Sequence, residues 1–257
     1  MRRALRAVAP ILLMVLLLGG WEAACRLTAV PAYFLPAPSA VAAAMAADAG
    51  ALTTSALNTL VMALWALLLA AALALPLALA AGLSPIVQRA VSPLAVALQV
   101  TPVVAVAPLA VIWAGLDHPE RAIVGLAVVV AFFPLFSGAT TGLKSADPDL
   151  ERLFDLYGAT PLQRLMRLRA PSAVPFILEG LKVAGGLAVI GAVVAEFVAG
   201  TGAAQGLAWR ILESGARLRT ADMFAALFAL GLMGAGLHAL LGLAERRLLA
   251  AWHGRNR

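Results

Sequence analysis

Six stretches of this chain are each long and apolar enough to cross a lipid bilayer, and nothing else in it constrains the fold as tightly. They run at roughly 8–27, 56–82, 90–115, 121–142, 173–198 and 222–245. About 20 apolar residues suffice for a helix to span the hydrocarbon. Over 90–115 and 122–142 there is no Asp, Glu, Lys or Arg. Lipid offers no water to the backbone, so spanning segments must satisfy their own N–H and C=O groups. Runs of this length therefore predict an all-α, polytopic membrane protein. Prolines 76, 93, 102, 108 and 134 fall inside the runs and are expected as kinks whose freed carbonyls neighbouring helices satisfy.

Hydrophobic residues make up 63% of the 257 positions and charged residues 12%, far from the balance of a soluble domain. The bilayer is thus the natural solvent. A net charge of +6 raises nucleic acid as a partner, but its distribution argues for membrane orientation instead. With the N-terminus inside, 14 of the 19 basic residues lie on the cytoplasmic side, leaving Arg26, Arg121, Arg210, Arg217 and Arg219 outside. The opposite topology would invert that ratio against the positive-inside tendency. Both termini and the 143–172 segment are accordingly expected in the cytoplasm, and no nucleic acid is expected.

Cys25 is the one cysteine, so no intrachain disulfide can form. The Glu22-Ala23-Ala24 before it lacks the apolar residue of a lipoprotein signal. No Ala-x-Ala-type site follows the first run cleanly, so that run reads as an uncleaved span. Outside the membrane, Ser39 is expected to cap a short interfacial helix.

Between the fourth and fifth runs lies a charged, amphipathic island, residues 147–171. Asp147-Pro148 supplies an N-cap and a first-turn proline. Leu150, Leu153, Phe154 and Tyr157 then recur at helical spacing as one apolar stripe. Glu151 and Arg152 lie off that stripe, and Gly158 suits the left-handed turn that ends a helix. Thr160-Pro161-Leu162-Gln163 has the form of a capping box and restarts one. Arg164, Arg167 and Arg169 suit its C-terminal dipole, and Ala170-Pro171 is expected to end it. The island either lies on lipid headgroups or inserts its stripe into a groove on a soluble partner.

The chain contains no Gly-Lys dipeptide, so it cannot form a Gly-x-x-x-x-Gly-Lys-Ser/Thr phosphate loop. If ATP drives it, another polypeptide hydrolyses the ATP, and no cofactor is expected on this chain. Histidines 118, 238 and 253 are scattered, against a metal site. Charges at membrane depth are functional candidates. Glu196 is the foremost, read either as an interfacial carboxylate bonded to backbone or external arginines, or as a gating or substrate-path group. Glu179 and Lys182, three apart, are expected to neutralise one another. Gly185, Gly186, Gly191 and Ala195 read as close-packing positions. An ion-coupled carrier would want ionisable groups in the third and fourth runs, which have none. An intramembrane enzyme would want a nucleophile–base pair or metal cluster, and no such constellation is present.

The island resembles the cytoplasmic loop of ATP-binding-cassette importer permeases, whose pattern is Glu-Ala-Ala, three residues, Gly, then Ile-x-Leu-Pro. Gly158 matches the glycine and Leu168-Arg169-Ala170-Pro171 the apolar end, while Arg152-Leu153-Phe154 replaces Glu-Ala-Ala, with Glu151 one position early. The wider chain is similar to the nitrate, taurine, aliphatic sulfonate and thiamine-precursor permease group. The matching elements are Phe34-Leu35-Pro36-Ala37-Pro38-Ser39, Thr101-Pro102, Ala107-Pro108-Leu109, Trp113-Ala114-Gly115, Phe132-Phe133-Pro134, Gly180-Leu181-Lys182 and Val194-Ala195-Glu196. The resemblance implies the type I importer permease fold in a bacterial inner membrane. It also implies a second permease copy, two ATPase subunits carrying ATP and Mg²⁺, and a solute-binding protein outside. On it, Leu150, Glu151, Arg152, Leu153, Phe154, Tyr157, Gly158 and Arg164 would couple to the ATPase. Pro102, Pro108, Pro134 and Glu196 are the candidates for the substrate path or gate. The fifth-run wording is slightly closer to permeases for pyrimidine-like heterocycles than to those for sulfonate, taurine or nitrate.

Overall fold

A computed structural model describes residues 2–28, 30–115, 118–199 and 205–254, without the side chains of 2–8, 10, 11 and 251–254. The side chains of Arg2, Arg3, Arg6 and His253, and residues Arg255, Arg257 and Gly200-Thr201-Gly202, lie outside the described residues. Among the described residues the chain is helical and contains no strand. In order the helices are α1 (Arg2–Leu27), α2 (Pro38–Ala47), α3 (Ala49–Leu83), α4 (Pro85–Val100), α5 (Val103–Ala114) and α6 (Pro119–Leu143). The island forms α7 (Pro148–Leu156) and α8 (Pro161–Arg164); a π-helical turn over Leu165–Arg169 leads into α9 (Ala170–Ala199). The last two are α10 (Leu207–Ala216) and α11 (Thr220–Gly254).

Four helical segments are long and apolar enough to span a bilayer: Ala49–Leu83, Pro119–Leu143, Pro161–Ala199 and Thr220–Ala250. The bent pair α4–α5 makes a fifth if taken as one span. The first expected span falls within α1, only part of whose side chains are described. The third expected span is not one kinked helix. It breaks by 99° between Val100 and Val103, because Thr101, preceding Pro102, adopts an extended backbone with ψ 124°. A residue before proline is pushed out of the α region, and proline itself has no N–H to continue the ladder. Prolines 76, 93, 108 and 134 do sit within helices.

The chain divides into two compact units. One comprises residues 1–57 and 205–231; the other comprises 58–204 and 232–257. In the first, the Glu22 carboxylate accepts from the Ser39 backbone N–H at 2.9 Å and from its hydroxyl at 2.8 Å. Ser39 is therefore not the cap of α2: Ala37 holds that position and Pro38 opens the helix, leaving the serine free to bond α1. Trp21 packs on Phe224 and Phe228 at 5.8 and 6.1 Å, and Arg210 donates to the Ser55 hydroxyl at 2.6 Å.

In the second unit, α6 and α9 run antiparallel at backbone contact. A Cβ added at Gly142 would meet the Ala173 Cα at 2.8 Å, one at Gly138 the Phe176 carbonyl at 2.9 Å, and one at Gly191 the Ala127 Cα at 2.8 Å. Only glycine allows such approach, and small residues along both helices carry it through the seam. Alanines 127, 131, 139, 184, 188 and 192 are buried there. Gly185 faces the tip of the Leu241 side chain rather than backbone, and Gly186 faces open space.

Candidate functional site

The segment joining α6 to α9 folds as an elbow, and each bend follows from a local signal. Asp147 caps α7 by accepting from the Asp149 N–H at 2.8 Å. At the far end the Gly158 N–H bonds the Asp155 carbonyl and the Ala159 N–H bonds the Phe154 carbonyl, both at 3.0 Å. That pairing requires a left-handed residue between helix and exit, and Gly158 adopts φ +62°. Thr160 then opens α8 with a reciprocal capping box: its hydroxyl accepts from the Gln163 backbone N–H at 3.3 Å, and the Gln163 side-chain Oε1 accepts from the Thr160 N–H at 2.9 Å.

The second arm does not end at Ala170-Pro171. The helix continues from Pro161 to Ala199, because the ladder widens into a π turn just before the proline. There the Ala170 N–H reaches back to the Leu165 carbonyl, and the Ser172 hydroxyl donates to the Leu168 carbonyl at 2.9 Å. A proline has no N–H to give and its ring crowds the preceding turn, so a wider turn admits it without ending the helix. Leu165 and Leu168 are buried in this arm, and Leu165 clusters with Leu143 and Ala173.

Since no helix ends at Arg169, the arginines do not serve a C-terminal dipole. Arg164 and Arg169 clamp the elbow instead. Glu151 receives Arg169 at 2.6 and 3.3 Å and Arg164 at 3.4 Å, and Arg164 also pairs with Asp155. Glu151 and Arg164 side chains are each 21% exposed, so water screens this pair less than an open surface pair. Arg152–Asp149, at 3.0 Å, is almost fully exposed and contributes little. Tied back in this way, α7 buries none of its own side chains. It presents Leu150, Leu153, Leu156 and Tyr157 at 45, 42, 85 and 82% exposure, with Phe154 half-buried. Leu156 and Arg169 are additions to the expected residues. The first was legible as the i+3 neighbour of Leu153, whereas the second pairs across 18 positions and carries no local signal.

The other candidates are dispersed. Pro102 sits at the α4–α5 break, Pro108 inside α5 and Pro134 inside α6, its carbonyl against Gly180. Glu196 is 3% exposed on α9 and accepts from the Thr59 hydroxyl of α3 at 3.5 Å. Lys182 bonds Glu179 at 2.5 Å, as its spacing predicts, and also Glu245 of α11 at 2.9 Å.

Apolar spans thus carry a charge-clamped elbow with an exposed apolar ridge. Residues 72–250 match the binding-protein-dependent transport system inner membrane component family, and the chain belongs to it. It is 35% identical to the formylaminopyrimidine transport permease protein ThiX of Halalkalibacterium halodurans, over 91% of this chain and 92% of that protein. It is 35% identical to the riboflavin transport system permease protein RibX of Chloroflexus aurantiacus, over 95% and 89%. With the taurine transport system permease protein TauC of Escherichia coli it shares 29%, over 94% and 88%. The chain is thus an ATP-binding-cassette importer permease, a transport subunit and not an enzyme.

Proposed function

We propose that this permease imports a small, uncharged, pyrimidine-like heterocycle, handed over by a solute-binding protein outside the cell. The observation that supports this substrate class is the 35% identity, over nine-tenths of the chain, to two permeases named for heterocyclic compounds. The taurine permease shares 29%. Between residues 90 and 115 and between 122 and 142 there is no fixed charge to hold an anion.

In this reading two copies of the chain pair in the inner membrane, with both termini and the elbow in the cytoplasm. ATP and Mg²⁺ bind the partner ATPases. The α7 ridge of Leu150, Leu153, Phe154 and Tyr157 seats in a groove on the ATPase, as an amphipathic helix does. The clamp among Glu151, Asp155, Arg164 and Arg169 makes α7 move with the arm that continues into α9. Closure of the ATPases therefore pulls on a span directly. Arg152 meets the ATPase surface, Gly158 sets the angle between the arms, and Pro102, Pro108, Pro134 and Glu196 belong to the path the movement opens.

The test is ATP-dependent uptake into proteoliposomes holding the assembled transporter and its binding protein. Labelled formylaminopyrimidine, riboflavin, taurine and an alkanesulfonate are offered in turn. Accumulation of a heterocycle is expected. Accumulation of taurine or the sulfonate alone would overturn the substrate class.

A further inference from the structure

Behind the elbow is a cavity of about 130 Å³ that the transport cycle above does not use. It lies where α3 ends, α4 begins, α6 ends and the π turn starts α9, with Gly82, Gln88, Thr140, Leu143, Lys144 and Arg169 among its walls. Two of the long apolar helical segments, Ala49–Leu83 and Pro119–Leu143, end around it, which for segments that span a bilayer is the level where hydrocarbon gives way to headgroups. Its walls hold two cations and no carboxylate. Arg169 already shares Glu151. Lys144, exposed at the end of α6, has no ion-pair partner among the described residues.

The cavity shares Pro85 and Gln88 with an open groove that runs along α4 past Arg89, Ser92 and Pro93 to Val96. From Gln88 to Val96 that is about 12 Å at 1.5 Å per residue, directed into a run without any charge. A cationic hollow continuing into a furrow that beyond Arg89 carries no charge matches an amphiphile with a compact anionic head. A free anion would fill only the first part.

We propose that the cavity and groove hold one anionic phospholipid, its phosphate against Lys144 and Arg169 and an acyl chain along α4. Basic hollows between membrane helices attract anionic headgroups, and each cation near such a surface contributes ~1 kcal/mol. The lipid phosphate would then face the same guanidinium that clamps the elbow.

The test uses the assembled permease–ATPase complex in neutral detergent, titrated with dioctanoyl phosphatidylglycerol while its melting temperature is followed. A saturable rise is expected, since a ligand of the folded state stabilises it by mass action. Lys144→Gln should raise the half-saturating concentration about fivefold, the factor equivalent to ~1 kcal/mol. Val96→Trp, which fills the groove, should weaken the lipid response by a similar factor. An equal rise with dioctanoyl phosphatidylcholine would overturn the proposal, since the headgroup charge would not be read. So would inorganic phosphate reproducing the whole shift, which would make this a free-anion site. A wild-type titration curve for Lys144→Gln would place the lipid elsewhere. No transported solute enters the measurement, so its outcome is independent of the substrate class.

Discussion

The seam between α6 and α9 and the elbow that joins them connect the same two helices by opposite means. Along the seam the backbones touch: glycines 138, 142, 180 and 191 leave no room for a Cβ without movement, and buried alanines continue the contact. Lipid is as apolar as the side chains it would replace, so helices there hold together by close packing rather than by the hydrophobic effect. At the elbow, α7 buries nothing of its own; carboxylates and arginines fix its direction. The seam holds α6 and α9 together at backbone contact. The elbow keeps apolar surface exposed on a helix that is nevertheless oriented.

The largest effect should come from breaking the seam. Gly142→Leu drives a side chain into the Ala173 backbone, where neither helix can yield without parting from the other. A loss of ~3 kcal/mol, at the upper end for overpacking, should appear as a collapsed yield of monodisperse protein and a lower melting temperature.

Next is the hinge. A Cβ at Gly158 meets nothing within 4 Å, so Gly158→Val acts through its positive φ alone, at ~1–2 kcal/mol. Membrane insertion should persist while coupled uptake falls about tenfold, the factor for ~1.4 kcal/mol. Gly158→Asn, which tolerates that backbone, should recover most of the activity. Uptake unchanged in the valine variant would remove the hinge from the mechanism.

Smaller again is the clamp. Glu151→Gln leaves Arg164 with Asp155 and deprives Arg169 of its carboxylate. Uptake is expected to drop a few-fold while ATP hydrolysis continues, with little change in the melting temperature. At the low end, Arg152→Ala removes an exposed pair and should shift stability by less than ~0.5 kcal/mol. A larger loss of stability there would mean that exposed charges, too, hold α7 in place.

The elbow was legible to an unusual degree because its instructions are local. A cap at Asp147, a left-handed Gly158 and a capping box at Thr160 each act within about six residues. Where the reading failed, a local rule met a tertiary opportunity. Ala170-Pro171 spells a helix end, but the π turn and the buried Leu165 and Leu168 carry the helix through. Ser39 spells a cap, but Glu22 on another helix takes it. Thr101-Pro102 spells a kink, yet the chain turns by 99°.

The sequence alone determined which segments are helical, which of them can enter lipid and where the connection between α6 and α9 bends. Those outcomes depend on hydrophobic run length and on hydrogen bonds between near neighbours. Only the tertiary structure decided that Glu151 meets Arg169, that Lys182 meets Glu245 and that Glu196 is buried against Thr59. Such partners lie 18, 63 and 137 positions apart. Which face of each helix turns toward which neighbour is set by how closely the backbones pack, and no local pattern of residues encodes that.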